Sequence, residues 1–350
     1  MTTLAESYDA LLLDLDGTVY LGGQPIDHVA SALARAKQQG ARSVFVTNNA
    51  SRPPVEVAAA LTGMGISADV DDVLTSPQAA AVMLTDRHPA GTKVLVIGAP
   101  WLAESVQLAG LVPVRLAVDE PAAVVQGHSP ETGWRDLAEA CIALRAGADW
   151  VACNIDSTLP TDRGLLPGNG SMVAALVAAT GMHPRVAGKP ESPLLDAAVR
   201  RVGSQRPLVV GDRLDTDIAC AVGANTPSLL VLTGVSTAAD LLAAPPSQRP
   251  TYLAFDLRGL VDEDRSARIP SASSSGGGLE WSVTTEAGTL LLSAGQDSDG
   301  SPEVSDASAL RALAALTAQA WATGVTAYRA HGAAAGAALD RCALLVASAA

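Results

Sequence analysis

Near the amino terminus the stretch YDALLLDLDGTVY (8–20) runs an apolar segment into two aspartates two positions apart, then into Gly-Thr. Residues i and i+2 of an extended chain point to one side, so Asp14 and Asp16 lean toward a common point. Two carboxylates about 4 Å apart repel by about 1 kcal/mol in water and about 4 kcal/mol at a protein-like effective dielectric. A cation, or a proton held on one of them, has to offset that. Three more loops carry unusual polar groups: VTNNAS with Thr47, Asn48 and Asn49; AGKPES with Lys189; and VVGDRLDTDI with Asp212, Asp215 and Asp217. Each alone has an ordinary explanation, since Asp-Gly is a common turn and Thr or Asn caps helices. Together they hold what oxyanion chemistry around a hard divalent ion requires. Mg²⁺ prefers oxygen ligands and uses one or two carboxylates beside the oxygens of a phosphate.

Such residues have to be brought together by the elements that precede them. Apolar runs at 10–13, 43–47, 94–98, 122–126, 149–153, 207–211 and 228–232 read as buried strands, most separated from the next by a helical pattern. That rhythm predicts an α/β fold built on an open parallel sheet. Ligands of such sheets sit at the carboxyl ends of the strands, which is where most of the polar loops fall.

Composition narrows the classes. The 350 residues suit two or three domains at about 100–200 residues each. A net charge of −13 argues against nucleic acid, whose phosphates are held by clustered Lys and Arg. Cys141, Cys153, Cys220 and Cys342 are scattered without a CxxC pair, as expected of reduced, buried thiols. The start MTTLAESYDA lacks a basic region and an apolar core, and no run is long and apolar enough for a bilayer span. The expectation is a cytoplasmic protein with no membrane partner, compatible with a homodimer.

The motif set resembles the haloacid dehalogenase-like phosphatases, in which a DxDGT loop, a Ser/Thr after the second strand, a Lys and a GDxxxxD loop form the site. The likeness covers residues 8 to about 262. It implies a Rossmann-like core, with Asp14 as nucleophile and Asp16 as general acid and base. It also implies Thr47, with Asn48 and Asn49, binding the phosphoryl group, and Lys189 neutralising it. Mg²⁺ would be held by Asp14, Asp212 and the carbonyl of Asp16, and Asp217 would orient Lys189 from behind. Asp215 receives no role. An attacking carboxylate would form an aspartyl-phosphate and split hydrolysis in two, and acid–base assistance of this kind contributes roughly 10²–10⁴-fold.

Only 32 residues separate Asp14 from Thr47, but 141 separate Thr47 from Lys189. The excess predicts an inserted lid, which resembles the class II cap of the subgroup acting on 4-nitrophenyl phosphate, pyridoxal phosphate, phosphoglycolate and nucleotides. The expected division is 1–78 with 182–265 as core, 79–181 as α/β cap, 266–278 as linker and 279–350 as a small α+β unit. A lid favours a small phosphorylated metabolite over a phosphoprotein. Within it, the Pro/Gly-rich stretch 154–172 reads as the least regular and ends in a helix start at Ser171. It supplies Asp156, Thr158, Asp162 and Arg163 as polar candidates for the substrate's leaving group, while Trp134 reads as cap core.

Taken whole, the chain resembles actinobacterial glycerol 3-phosphate phosphatases, on TLPTDRGLLPGNGSMVAAL, RVAGKP, VVGDRLDTDI and the tail. Phosphoglycolate, pyridoxal phosphate, 4-nitrophenyl phosphate and nucleotide phosphatases remain alternatives. So does a non-catalytic metabolite- or CoA-sensing protein. The tail follows SASSSGGG (271–278) and reads as a hairpin, a helix with Leu310, Leu313, Ala314 and Trp321 on one face, then a strand and helix. Its RAHGAA (329–334) resembles the R-x-x-G-x-A pyrophosphate loop of GNAT acetyltransferases. On that reading the tail is an accessory fragment, and removing residues beyond 272 leaves the phosphatase chemistry largely unchanged.

Overall fold

The computed structural model describes residues 2–161, 163–270, 281–295 and 304–344. Asp162 and the Ser/Gly stretch 271–278 lie outside the described residues. Contacts divide the chain into Met1–Ser43 with Ser204–Ala350, and Val44–Gly203.

The first unit is built on strands ordered Ser266–Arg268, Tyr252–Ala254, Ser228–Val231, Pro207–Gly211, Ala10–Leu13. All neighbours are parallel except the Ser266–Arg268 edge, which runs antiparallel to Tyr252–Ala254. Ala10–Leu13 and Ser228–Val231 are buried at every position, as continuous apolar strands covered on both faces should be. Register pairs Leu13 with Val210, so the residues after both strands emerge at one edge.

The tail does not stand apart. Trp281, Leu290, Leu292, Leu310, Leu313, Leu316 and Leu339 share one apolar core with Leu230, Leu241, Leu253 and Ala267. The hairpin Trp281–Glu286/Thr289–Ala294 forms as expected, and Tyr328–His331 adds to it in parallel. Helix Asp306–Thr323 buries Leu310, Leu313 and Ala314. The Trp321 indole N–H donates to the Leu241 carbonyl at 2.9 Å. The unit read as separate from the linker composition thus shares a core with the strands before it, because linker chemistry says nothing about the apolar face that follows it.

The second unit carries the end of Arg42–Thr47, paired in parallel with Val73–Thr75. It also carries a five-stranded parallel sheet ordered Arg185–Val186, Asp149–Ala152, Ala123–Gln126, Lys93–Ile97, Val112–Val114. Leu95, Ile97, Val124 and Trp150 form a core with Ala140 and Leu144 of helix Trp134–Arg145 and Val173 and Leu176 of helix Asn169–Thr180. Two readings change here. Trp134 is 80% exposed at the first position of its helix rather than in the core. The stretch 154–172 contains a hairpin, Thr158–Thr161 against Gly164–Pro167, and its helix begins at Asn169. Prolines at both strands of that hairpin hid it from a propensity reading.

Candidate active site

In the first unit the acidic loops meet. Asp14 directly follows Ala10–Leu13, and its N–H donates to the Val210 carbonyl at 2.9 Å. Asp14 is half-buried, Leu15 is buried and Asp16 is exposed, the alternation an extended chain imposes. A turn follows at once: the Leu15 carbonyl accepts from Val19 at 2.8 Å, and the Gly17 N–H donates to Tyr20 at 2.8 Å.

Asp212 follows Pro207–Gly211 and is fully buried. Its Oδ1 accepts from Thr18 Oγ1 at 3.2 Å and its Oδ2 from the Val235 N–H at 2.7 Å. Asp217 is also buried, in the single wide turn Leu214–Ile218, where its Oδ2 accepts from the Arg213 N–H at 3.1 Å. Oxygens of Asp14, Asp212 and Asp217 lie within 4.8 Å of one another. Carboxylates this close and this buried repel by several kcal/mol at a protein dielectric, and a hard cation relieves it. The all-oxygen donor set fits Mg²⁺. Asp217, expected only behind Lys189, thus stands among the candidate ligands. Asp215 forms a bidentate pair with Arg213 at 3.0 and 2.8 Å. The Arg213 hydrogen bond and charge hold its carboxyl below the ordinary value against the opposing effect of burial.

Sequence reading missed the loop after Ser228–Val231. Thr233 Oγ1 donates to the Gly17 carbonyl at 2.6 Å, Val235 N–H holds Asp212, and Ser236 Oγ accepts from Leu214 N–H at 3.0 Å. LTGVS has no chemistry-bearing side chain beyond hydroxyls, and its part is played largely by backbone.

In the second unit, Thr47 ends its strand buried, and its Oγ1 accepts from the Asn49 N–H at 3.1 Å. Asn49 Oδ1 accepts from Ser51 N–H at 2.9 Å and Ser51 Oγ at 2.8 Å, closing the turn that leads to helix Pro54–Gly63. Lys189 is 4% exposed and its ammonium donates to the Val46 carbonyl at 3.2 Å. The Asn48 amide bonds both main-chain groups of Lys189 and Asp156 Oδ2. Asn48, Lys189 and Asp156 are therefore one hydrogen-bonded group, with Thr47 next to it in the chain. Thr158 and Arg163 are exposed on the hairpin.

Residues 11–112 match the family model of haloacid dehalogenase-like hydrolases, and residues 186–260 a second, HAD-hydrolase-like model. The chain is 49% identical over 315 residues to the D-glycerol 3-phosphate phosphatase of Mycobacterium tuberculosis, covering 90% of this chain and 87% of the relative. It is 35% identical over 261 residues to an acid sugar phosphatase of Staphylococcus saprophyticus, covering 74% of this chain and 98% of the relative. The crystal structure of glycerol phosphate phosphatase from Mycobacterium tuberculosis in complex with magnesium superposes with a TM-score of 0.88 at 46% identity, covering 99% and 100% of the two chains. An acidic cluster at parallel-strand ends, matched by likeness over nearly the whole length, makes this chain a member of the haloacid dehalogenase-like hydrolases.

Proposed function

We propose that the chain is a Mg²⁺-dependent phosphatase that hydrolyses glycerol 3-phosphate to glycerol and phosphate. The observation that carries the reaction class is the cluster of half-buried Asp14 with buried Asp212 and Asp217. The choice of ester rests on the 49% identity to D-glycerol 3-phosphate phosphatase. The same reading makes the protein cytoplasmic, free of nucleic-acid and membrane partners and compatible with a homodimer. No helix among the described residues is long and apolar enough to cross a membrane.

Bound Mg²⁺ would neutralise phosphate charge and fix the line of attack. Asp14, Asp212 and the Asp16 carbonyl would hold it, and the geometry adds Asp217 as a candidate ligand. Asp14 attacks phosphorus and carries the phosphoryl group. Asp16, which is exposed, protonates the leaving alkoxide and then takes a proton from water. Thr47 and Lys189 bind the transferred group, whose reaction asks mainly for position and charge stabilisation. Asp156, Thr158 and Arg163 of the 79–181 cap segment are the polar candidates for the glycerol end. Residues 329–334 form the end of a strand, a glycine turn and the start of helix Ala333–Arg341, and this supports reading the tail as an acetyltransferase-like fragment without transfer activity.

Phosphate release from glycerol 3-phosphate, phosphoglycolate, pyridoxal phosphate and nucleoside monophosphates, with Mg²⁺ and after chelation, tests this reading. Glycerol 3-phosphate is expected to give the highest kcat/KM, chelation to stop turnover and Mg²⁺ to restore it. Asp14→Asn is expected to abolish turnover with circular dichroism unchanged. Appreciable turnover by that variant removes Asp14 as nucleophile, and indifference to chelator removes the metal.

A further inference from the structure

Every polar atom of the Asn48 side chain is engaged. Oδ1 accepts from the Lys189 N–H at 2.8 Å, while Nδ2 donates to the Lys189 carbonyl at 2.9 Å and to Asp156 Oδ2 at 3.2 Å. The first two bonds grip both main-chain groups of one residue, as a neighbouring strand would. Asn48 is itself anchored, its carbonyl accepting from Ser76 Oγ at 2.7 Å and Asn154 Nδ2 at 2.8 Å. The approach is built into the backbone beside it: a Cβ on Gly188 would collide with Asn48 Oδ1 and lie 2.6 Å from the Cys153 carbonyl oxygen. The gripped residue carries its ammonium only a side chain's length away, in a buried position against Val46.

The amide can face only one way. A carboxylate accepts and a main-chain N–H donates, so nitrogen must meet Asp156 and oxygen must meet the Lys189 N–H. A half-turn of the amide would oppose donor to donor and oxygen to carboxylate. Asp156 lies in the loop between Asp149–Ala152 and the hairpin, so a residue of the cap segment sets the orientation of a residue that follows Arg42–Thr47.

We propose that Asn48 is the positioning residue of Lys189 and that Asp156 orients it, so that the cap loop governs where the phosphate-binding ammonium stands. The inference rests on Lys189 being the cation for the transferred phosphoryl group. It assigns Asn48 and Asp156 an action exerted through the lysine, distinct from direct contact with the ester.

Inorganic phosphate with Mg²⁺ is the probe, its dissociation constant measured by calorimetry on the full chain and independent of which ester is the substrate. Asn48→Ala and Asp156→Ala are each expected to weaken phosphate at least about fivefold, within the range of couplings between contacting residues. In the Lys189→Met background neither is expected to add more than about twofold, because the group they place is gone. Asp156→Asn keeps an acceptor for the Asn48 nitrogen and is expected to retain near-wild-type binding. Equal losses with and without the lysine, as a purely structural role predicts, overturn the inference. So does unchanged binding in either alanine variant, or failure of Asp156→Asn to hold the affinity. Should Asn48→Ala not fold, the Asp156 arm decides, since that change leaves both clamp bonds in place. Unchanged binding in Lys189→Met removes the reading of Lys189 and this inference with it; weakened binding there, with no effect at Asn48 and Asp156, removes only the inference.

Discussion

Gly234 packs against the buried Asp212 carboxylate, and a single methyl group tests whether its position matters. A Cβ on Gly234 would lie 2.5 Å from Asp212 Cγ and 2.9 Å from Asp212 Cβ. Carbon atoms rest at about 3.5–4.0 Å, so the carboxylate or the loop must yield by about 1 Å. Asp212 is fully buried and pinned by Thr18 Oγ1 and Val235 N–H, so moving it stretches those bonds. Hydrogen bonds to charged groups are worth about 1.5–3 kcal/mol. Losing one of them corresponds to roughly 10- to 100-fold, at about 1.4 kcal/mol per factor of ten. Loss of groups that orient metal ligands typically costs a similar 10- to 100-fold, roughly, in metal affinity or activity. Gly234→Ala is therefore expected to raise the Mg²⁺ concentration for half-maximal phosphate release, and to lower kcat/KM, each by roughly 10- to 100-fold. Gly223→Ala is the control, because nothing lies within 4 Å of its Cβ and its helical position favours alanine. Wild-type Mg²⁺ dependence in Gly234→Ala, with kcat/KM unchanged, would refute the view that Asp212 is a rigidly held ligand.

Asp149 offers a pH test within the second unit. Burial works to raise its carboxyl, but Arg185, bonded at 2.6 Å, with His88 and Arg87 beside it, outweighs burial and holds it below the ordinary value. A carboxyl lowered on folding stabilises above its unfolded pKa of about 3.9 and loses that contribution as pH falls through the folded value. The stability gap between wild type and Asp149→Asn is expected to be constant from about pH 5 to 7 and to close below about pH 4; a gap that persists in acid contradicts the ion pairing. Burial pushes the Cys342 thiol up to about 12 and raises that of Cys153 as well. Neither is expected to alkylate at pH 8 before denaturant is added, and rapid labelling of the folded chain would count against their burial. A chain ending at Pro270 is expected to lose stability and aggregate rather than work unchanged, because it uncovers Leu241, Leu253 and Ala267, each Leu-sized burial being worth about 1.5–3 kcal/mol. A truncated chain with wild-type melting behaviour would show that the shared core contributes little.

The strands were legible because each is a short apolar run buried on both faces, which leaves a pattern in the residues themselves. Every run read as a strand from 10–13 to 228–232 is one, within a residue or two at the ends. Short edge strands such as Val112–Val114 and Ser266–Arg268 were not read, because three residues carry too little pattern and edges depend on what lies beside them. The hairpin at 158–167 was hidden by its prolines, and the burial expected of Trp134 failed because helix position, not residue type, decided which way it faced.

The chemistry itself was written locally: carboxylates, a hydroxyl and a lysine, most of them placed after an apolar strand, announce an oxyanion and a hard cation whatever the rest of the chain does. Their support was not. Val235 N–H on Asp212, the Thr233 hydroxyl on the Gly17 carbonyl, the Asn48 grip on Lys189 and the tail's place in a shared core all join residues far apart in the chain. Such contacts use backbone groups and apolar faces that every residue or many residues possess, so no residue type marks them in advance. Side-chain chemistry is a property of the sequence; which backbone atom or apolar face meets it is decided only when the chain has closed on itself.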